Sequence, residues 1–149
     1  MTSSESTFNH LLINKFLEAV AMSIEDERDD NRGVDFVVAE ACLSSLKKQS
    51  SNQDSRYQYK ADGIIRLFRM KDLELLLLET SGHYGNFNKT KISFDHHKGV
   101  YGACAMLKQI AIEFNCGHLS HFLKIKVFFL HAEGISFFLI INLKSNPTK

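Results

Sequence analysis

The strongest constraint on the fold is a pair of short apolar runs on either side of a two-residue polar turn. Tyr59 to Met70 carries Ile64, Ile65, Leu67 and Phe68, Lys71-Asp72 follows, and Leu73 to Thr80 holds four consecutive leucines, Leu75 to Leu78. The leucine run is too short for a good helix, and Ser81-Gly82 stops it, so the spacing predicts an antiparallel β-hairpin. Apolar residues at successive positions populate both faces of a strand, which requires cover on both sides.

Helical patterns supply that cover. Phe8, Leu11, Leu12, Phe16, Ala19 and Met22 recur at helical spacing, with Ser6 or Thr7 as N-cap. Val34, Val37, Val38, Ala41, Cys42 and Leu46 predict a second helix closed by Lys47-Lys48, where cations suit the dipole. Met1 to Thr7 reads as a frayed start, Glu25 to Asp30 as a solvated acidic run and Ser50 to Ser55 as a polar linker. Beyond the hairpin, His83 to Ser93 reads as a loop. A long helix over Phe94 to Asn115 follows, with Val100, Ala103, Cys104, Leu107, Ile110, Ala111 and Phe114 on its apolar stripe, Cys104 being read as buried packing. Leu123 to His131 and Ile135 to Leu143 predict a last hairpin around Ala132-Glu133-Gly134. The expected class is α/β (α+β): a four-stranded mixed sheet flanked by helices. One domain, 1–149, suits a 149-residue chain, with a helical part over 1–55 and the core over 56–149.

Charge narrows the function classes. Eighteen basic and seventeen acidic side chains leave a net charge of +1, so no global field draws the chain to nucleic acid or membrane. A local basic surface of Lys89, Lys91, Lys98 and Lys108, with Tyr84 and Phe87 beside it, could draw a phosphate backbone and stack a base. Three cysteines without close pairing point to a reducing, intracellular setting, cytoplasm or nucleus. No apolar run approaches the length of a membrane helix.

Chemistry concentrates on Asp62 and Glu79. An antiparallel hairpin turning near Met70 to Asp72 brings residue 62 beside residue 79. Two carboxylates at one sheet end repel unless a divalent cation sits between them, and hard oxygen ligands suit Mg²⁺. The purely structural alternative pairs them with Lys60 and Arg66.

These residues lie in Lys60-Ala-Asp-Gly63 and Glu79-Thr-Ser-Gly82, and a third segment, Asp95-His-His-Lys-Gly99, opens the long helix. The arrangement resembles the PD-(D/E)XK, or restriction-endonuclease-like, superfamily, and the three segments are similar to those of a group of fungal proteins. The resemblance spans Lys60 to Leu143 and implies a restriction-endonuclease-like core, with Asp62 and Glu79 as ligands of Mg²⁺ and nucleic acid as substrate. The family's lysine, two positions after the Glu, is here Ser81. Lys98 on the following helix is the expected substitute, with His96 as its rival: against the Val100/Cys104/Leu107 stripe a regular helix turns His96 inward and Lys98 outward. Lys98 then reaches the site only if the helix starts late or its stem curls over the end. The family's strand before the Asp strand is replaced in this reading by the helix over Val34 to Leu46.

The reading that follows is a metal-dependent phosphodiester hydrolase with Asp62, Glu79, Lys98 and His96 at its centre. Its rival is a non-catalytic binding or oligomerisation module of the same fold, a homodimer through the apolar C-terminal hairpin. Cys116, His118 and His121 form a weaker zinc-like set without an evident fourth ligand.

Overall fold

A computed structural model of the chain describes residues 12–24, 33–49, 58–82 and 87–133, together with the backbone of 136–142. The elements are α1 (Asn14–Ile24), β1 (Val34–Cys42), α2 (Ser44–Gln49), β2 (Lys60–Leu67), β3 (Leu73–Thr80), α3 (Lys89–Glu113), α4 (Leu119–Phe122), β4 (Lys126–Glu133) and β5 (Ser136–Asn142). The five strands form one sheet in the order β1-β2-β3-β4-β5. All neighbours are antiparallel except β3 and β4, which run parallel because α3 crosses over between them. The mixed α/β class with helix-covered strands is as expected. The expected frayed start, acidic run and linker lie outside the described residues.

The first hairpin forms as expected, but its turn is longer: β2 ends at Leu67, which pairs with Leu73, and the five-residue connection is a 3-10 turn over Phe68–Met70 followed by Lys71 and Asp72 at positive φ (59° and 55°). Its continuous apolar run divides between two cores by strict alternation: Ile64 and Leu77 face α3, while Ile65, Leu76 and Leu78 face α1. The α3 side also buries Met106, Ile110, Val127 and Phe129, and the α1 side buries Leu17 and Ala21.

One element is corrected. Val34 to Leu46 is not a helix: 34–42 is β1, paired with β2, and only Ser44–Gln49 is helical. The sheet therefore gains a fifth strand, which stands before β2 where a helix was expected. A bulge explains the misreading. Val38 pairs with Gly63 and Ala41 with Ala61, so β1 carries one extra residue, with Ala39 and Glu40 at positive φ. The insertion sets Ala41 three positions after Val38, and together with Val34 and Val37, which face opposite sides of β1, this spacing imitates a helix. The start of α2 is anchored by Glu74 of β3, fully buried, which accepts from the Ser44 amide (2.7 Å), the Ser44 hydroxyl (2.8 Å), the Ser45 amide (2.9 Å) and the Ser45 hydroxyl.

The long helix also differs. It begins at Lys89, inside the expected loop, capped by Asn88, whose side chain accepts from the Lys91 amide at 3.1 Å. Its sheet-facing stripe is Asp95, Gly99, Gly102, Ala103, Met106 and Ile110, all buried, whereas Cys104 is exposed. The buried face is thus rotated by roughly a quarter turn from the hydrophobic stripe. Glycine contributes nothing to a hydrophobic pattern, yet here it lets the helix approach the sheet closely. A Cβ on Gly99 would stand 2.0 Å from the Phe129 ring, and one on Gly102 would stand 2.7 Å from Leu77.

Gly99→Ala is expected to cost roughly 3 kcal/mol, because ring and helix backbone cannot both stay in place. Cys104→Ala, on the solvent side, should stay within about 0.5 kcal/mol of wild type. Urea denaturation of the two variants checks the assignment of the faces, and the reverse order of stabilities would contradict it.

Candidate functional site

The site is set by the register of β2 and β3. Gly63 pairs with Leu78, so one step further Asp62 stands opposite Glu79. Glu79 meets Lys98 of α3, and Asp62 lies near enough for its charge to act on both Glu79 and Tyr59. Asp62 is half-buried, and its Oδ2 accepts the Thr80 backbone N–H at 2.6 Å. Lys60 and Arg66 do not serve as partners here: Lys60 bonds Glu40 at 2.6 Å, and Arg66 donates to the Cys42 carbonyl at 2.8 Å.

Glu79 is 2% exposed. Its Oε1 accepts the Tyr59 hydroxyl at 2.7 Å and its Oε2 accepts Lys98 Nζ at 2.7 Å. Lys98 Nζ donates also to the Lys60 carbonyl at 2.7 Å and lies 4.9 Å from the Tyr59 ring centroid, a cation–π contact. Burial pushes the Glu79 carboxyl up to about 7, against the hydrogen bonds and charge of Lys98 and the Tyr59 hydroxyl, and the Asp62 charge pushes the same way as burial. Burial and the Glu79 charge hold the Tyr59 phenol far above its usual range, so it stays a donor.

Lys98 reaches the site although α3 starts early. With Gly99 and Gly102 pressed on the sheet, Lys98 lies on the flank of the buried face, and its stem crosses the Tyr59 ring to Glu79. His96 is exposed and goes elsewhere, its ring 5.8 Å from Phe129 and 5.6 Å from His131.

A second polar cluster adjoins the first, and the sequence reading missed it. Ser81, 1% exposed, donates to Asp95 Oδ2 at 2.9 Å and lies 2.7 Å from His131 Nε2. Lys91 Nζ bonds Asp95 at 3.2 Å and the Thr80 carbonyl at 3.1 Å. Burial holds the His131 imidazole below its usual range. The Ser81 hydroxyl thus links Asp95 of α3 to His131 of β4. The sole sequence signal for His131 is a polar residue in an apolar strand.

The donor set fits Mg²⁺, which takes one or two protein carboxylates and completes its octahedron with water and phosphate oxygens. Each Glu79 oxygen accepts one hydrogen bond and keeps a second lone-pair site. Among the described residues, no group of three or more His, Cys, Asp and Glu side chains could hold a metal. Cys116, His118 and His121 accordingly do not assemble a zinc centre; His118 instead accepts the Ser120 amide at 3.2 Å. No family model, curated protein or solved structure matches the chain.

The raised Glu79 pKa fixes the sign of a pH effect. In metal-free protein, the folded state holds a proton on Glu79 that the unfolded chain releases between about 4.5 and 7, so this group lowers stability as pH rises through that window. Comparing wild type with Glu79→Gln by chemical denaturation across pH 4.5 to 7 should show this component of the slope disappearing in the variant. An identical pH dependence in both proteins would contradict the assignment.

Proposed function

We propose that the chain is a metal-dependent phosphodiester hydrolase of the nuclease type, acting on nucleic acid. The observation that carries this reading is the bond from Lys98 to Glu79 at 2.7 Å, opposite Asp62. It supplies from the helix the cation that Ser81 cannot provide on the strand. Residues from Lys60-Ala-Asp-Gly63, Glu79-Thr-Ser-Gly82 and Asp95-His-His-Lys-Gly99 lie close together, and the resemblance of these segments to PD-(D/E)XK nucleases supports the reading.

Asp62 and Glu79 would hold Mg²⁺. When bound, the ion supplies Lewis-acid charge to a phosphoryl oxygen. Glu79 also fixes Lys98 Nζ, whose positive charge is then in place for the charge that develops on phosphate. Tyr59 keeps its proton and orients the Glu79 carboxylate by donating to it. The Lys60 carbonyl holds Lys98 from the other side, so the ammonium cannot swing freely. Lys89 and Lys108 are exposed on α3 at other angles around the helix than Lys98, and Lys91 is engaged with Asp95 and the Thr80 carbonyl. Among the described residues no helix is long and apolar enough to cross a membrane. The side chains of β5 lie outside the described residues, so the expected dimer contact rests on the sequence of the hairpin.

Single-stranded DNA or plasmid incubated with Mg²⁺ or Mn²⁺ should be cut. Asp62→Ala, Glu79→Ala and Lys98→Ala should each lower the rate by about a hundredfold or more. Millimolar Mg²⁺ should also raise the melting temperature of wild type but not of Asp62→Ala, because an ion that binds only the folded form stabilises it. Cleavage that survives in Asp62→Ala and Glu79→Ala would overturn the assignment. Absence of both cleavage and thermal shift would favour the non-catalytic module.

A further inference from the structure

On a helix surface, a residue's neighbours are those three and four positions away. For Lys98 these include Phe94 and Tyr101, one on either side along α3. Both rings stand in water, 67% and 63% exposed, on the flank of Lys98 that turns away from the buried stripe. Lys98 itself keeps 26% of its side chain exposed, so a ligand lying across the two rings also meets it. Single exposed apolar residues need no explanation, but two aromatic rings bracketing one half-buried ammonium do. The rest of the face states the charge of what covers them. Between Lys89 and Ile112 the one acid of α3 is Asp95, which is buried and bonded to Ser81 and Lys91. The exposed side of that stretch therefore carries no carboxylate, and the exposed Lys108 continues the row of Phe94 and Tyr101 at the same seven-residue step. Aromatic faces beside cations suit a polyanion that also carries planar rings, which is the chemistry of nucleic acid.

We propose that Phe94 and Tyr101 form a stacking platform for unpaired bases on either side of a phosphate drawn to Lys98, which makes single-stranded nucleic acid the substrate class. The spacing of the rings argues against a duplex. Seven residues of helix set them about 10 Å apart along the axis, roughly three times the 3.4 Å step between bases along a strand. Bases reach both rings only where the strand is opened between them, and a duplex keeps its base faces stacked inside. The platform rests on the hydrolase reading for the role of the phosphate at Lys98, but its test requires no turnover.

Fluorescence anisotropy in EDTA, where no cleavage occurs, compares a short labelled DNA strand of mixed sequence with the duplex of the same sequence. Wild type should bind the single strand about tenfold more tightly than the duplex. Phe94→Leu and Tyr101→Leu keep an apolar side chain but remove the ring, and each should weaken single-strand binding about tenfold. Phe94→Tyr and Tyr101→Phe keep a ring and should bind as wild type does, as should Phe16→Leu at an exposed position of α1 on the other side of the sheet. No measurable single-strand binding, or duplex binding that is as tight, overturns the platform. Unchanged affinity in the two leucine variants overturns it as well and assigns the face to a protein partner. Ring-dependent binding in a protein that never cleaves with Mg²⁺ would leave the platform standing and remove the hydrolase reading. Cleavage that depends on Asp62 and Glu79 but binding that ignores both rings does the opposite.

Discussion

The polar end of the sheet depends on how closely α3 lies on it. Gly99 and Gly102 remove the side chains that would hold the helix away, and Phe129 and Leu77 occupy the space thus freed. The contact brings a segment of the helix against the ends of two strands, and it sets the height of Lys98 over Glu79. A helix standing off by the width of a methyl group would leave a buried carboxylate without its cation, a costly arrangement in a low-dielectric interior. Close packing and the polar site are thus one feature: the apolar contact fixes the geometry, and the ion pair makes use of it.

The end of the sheet is unusual in what it buries. Glu79, Thr80, Ser81, Asp95 and His131 are all withdrawn from water, where an ordinary core would place aliphatic side chains. Their bonds form two adjoining sets, Tyr59–Glu79–Lys98 and Lys91–Asp95–Ser81–His131, joined through β3. A buried polar network of this kind specifies a single arrangement when its members are satisfied. Here the side chains of Glu79, Ser81 and Asp95 are hydrogen-bonded, whereas the buried Thr80 Oγ1 has no partner among the described residues. By contrast Glu74, as deeply buried, is bonded wholly within the fold and reads as an anchor for α2.

Much of this was legible from sequence, for identifiable reasons. The hairpin of β2 and β3 was readable because its turn and its apolar runs are local, and with it the meeting of Asp62 and Glu79. The strand over 34–42 was not, because a bulge at Ala39 and Glu40 shifts its spacing towards that of a helix. The orientation of α3 was misread because two of the residues that face the sheet are glycines, invisible to a hydrophobic pattern, while Cys104 suggested a face that is in fact exposed. That rotation is why His96 seemed better placed than Lys98. The Ser81–His131 contact joins positions fifty residues apart on strands made adjacent by the crossover, so no local spacing could disclose it.

The central claim is that Asp62 and Glu79 form a cation site, and its most direct test is where a paramagnetic ion lands. In an amide NMR spectrum titrated with substoichiometric Mn²⁺, the account predicts that Gly63 and Thr80 broaden first, with the helix around Lys98 following and Leu119 to Phe122 unaffected. Broadening that begins instead at the acidic run of Glu25 to Asp30, or none near β2 and β3, would contradict it.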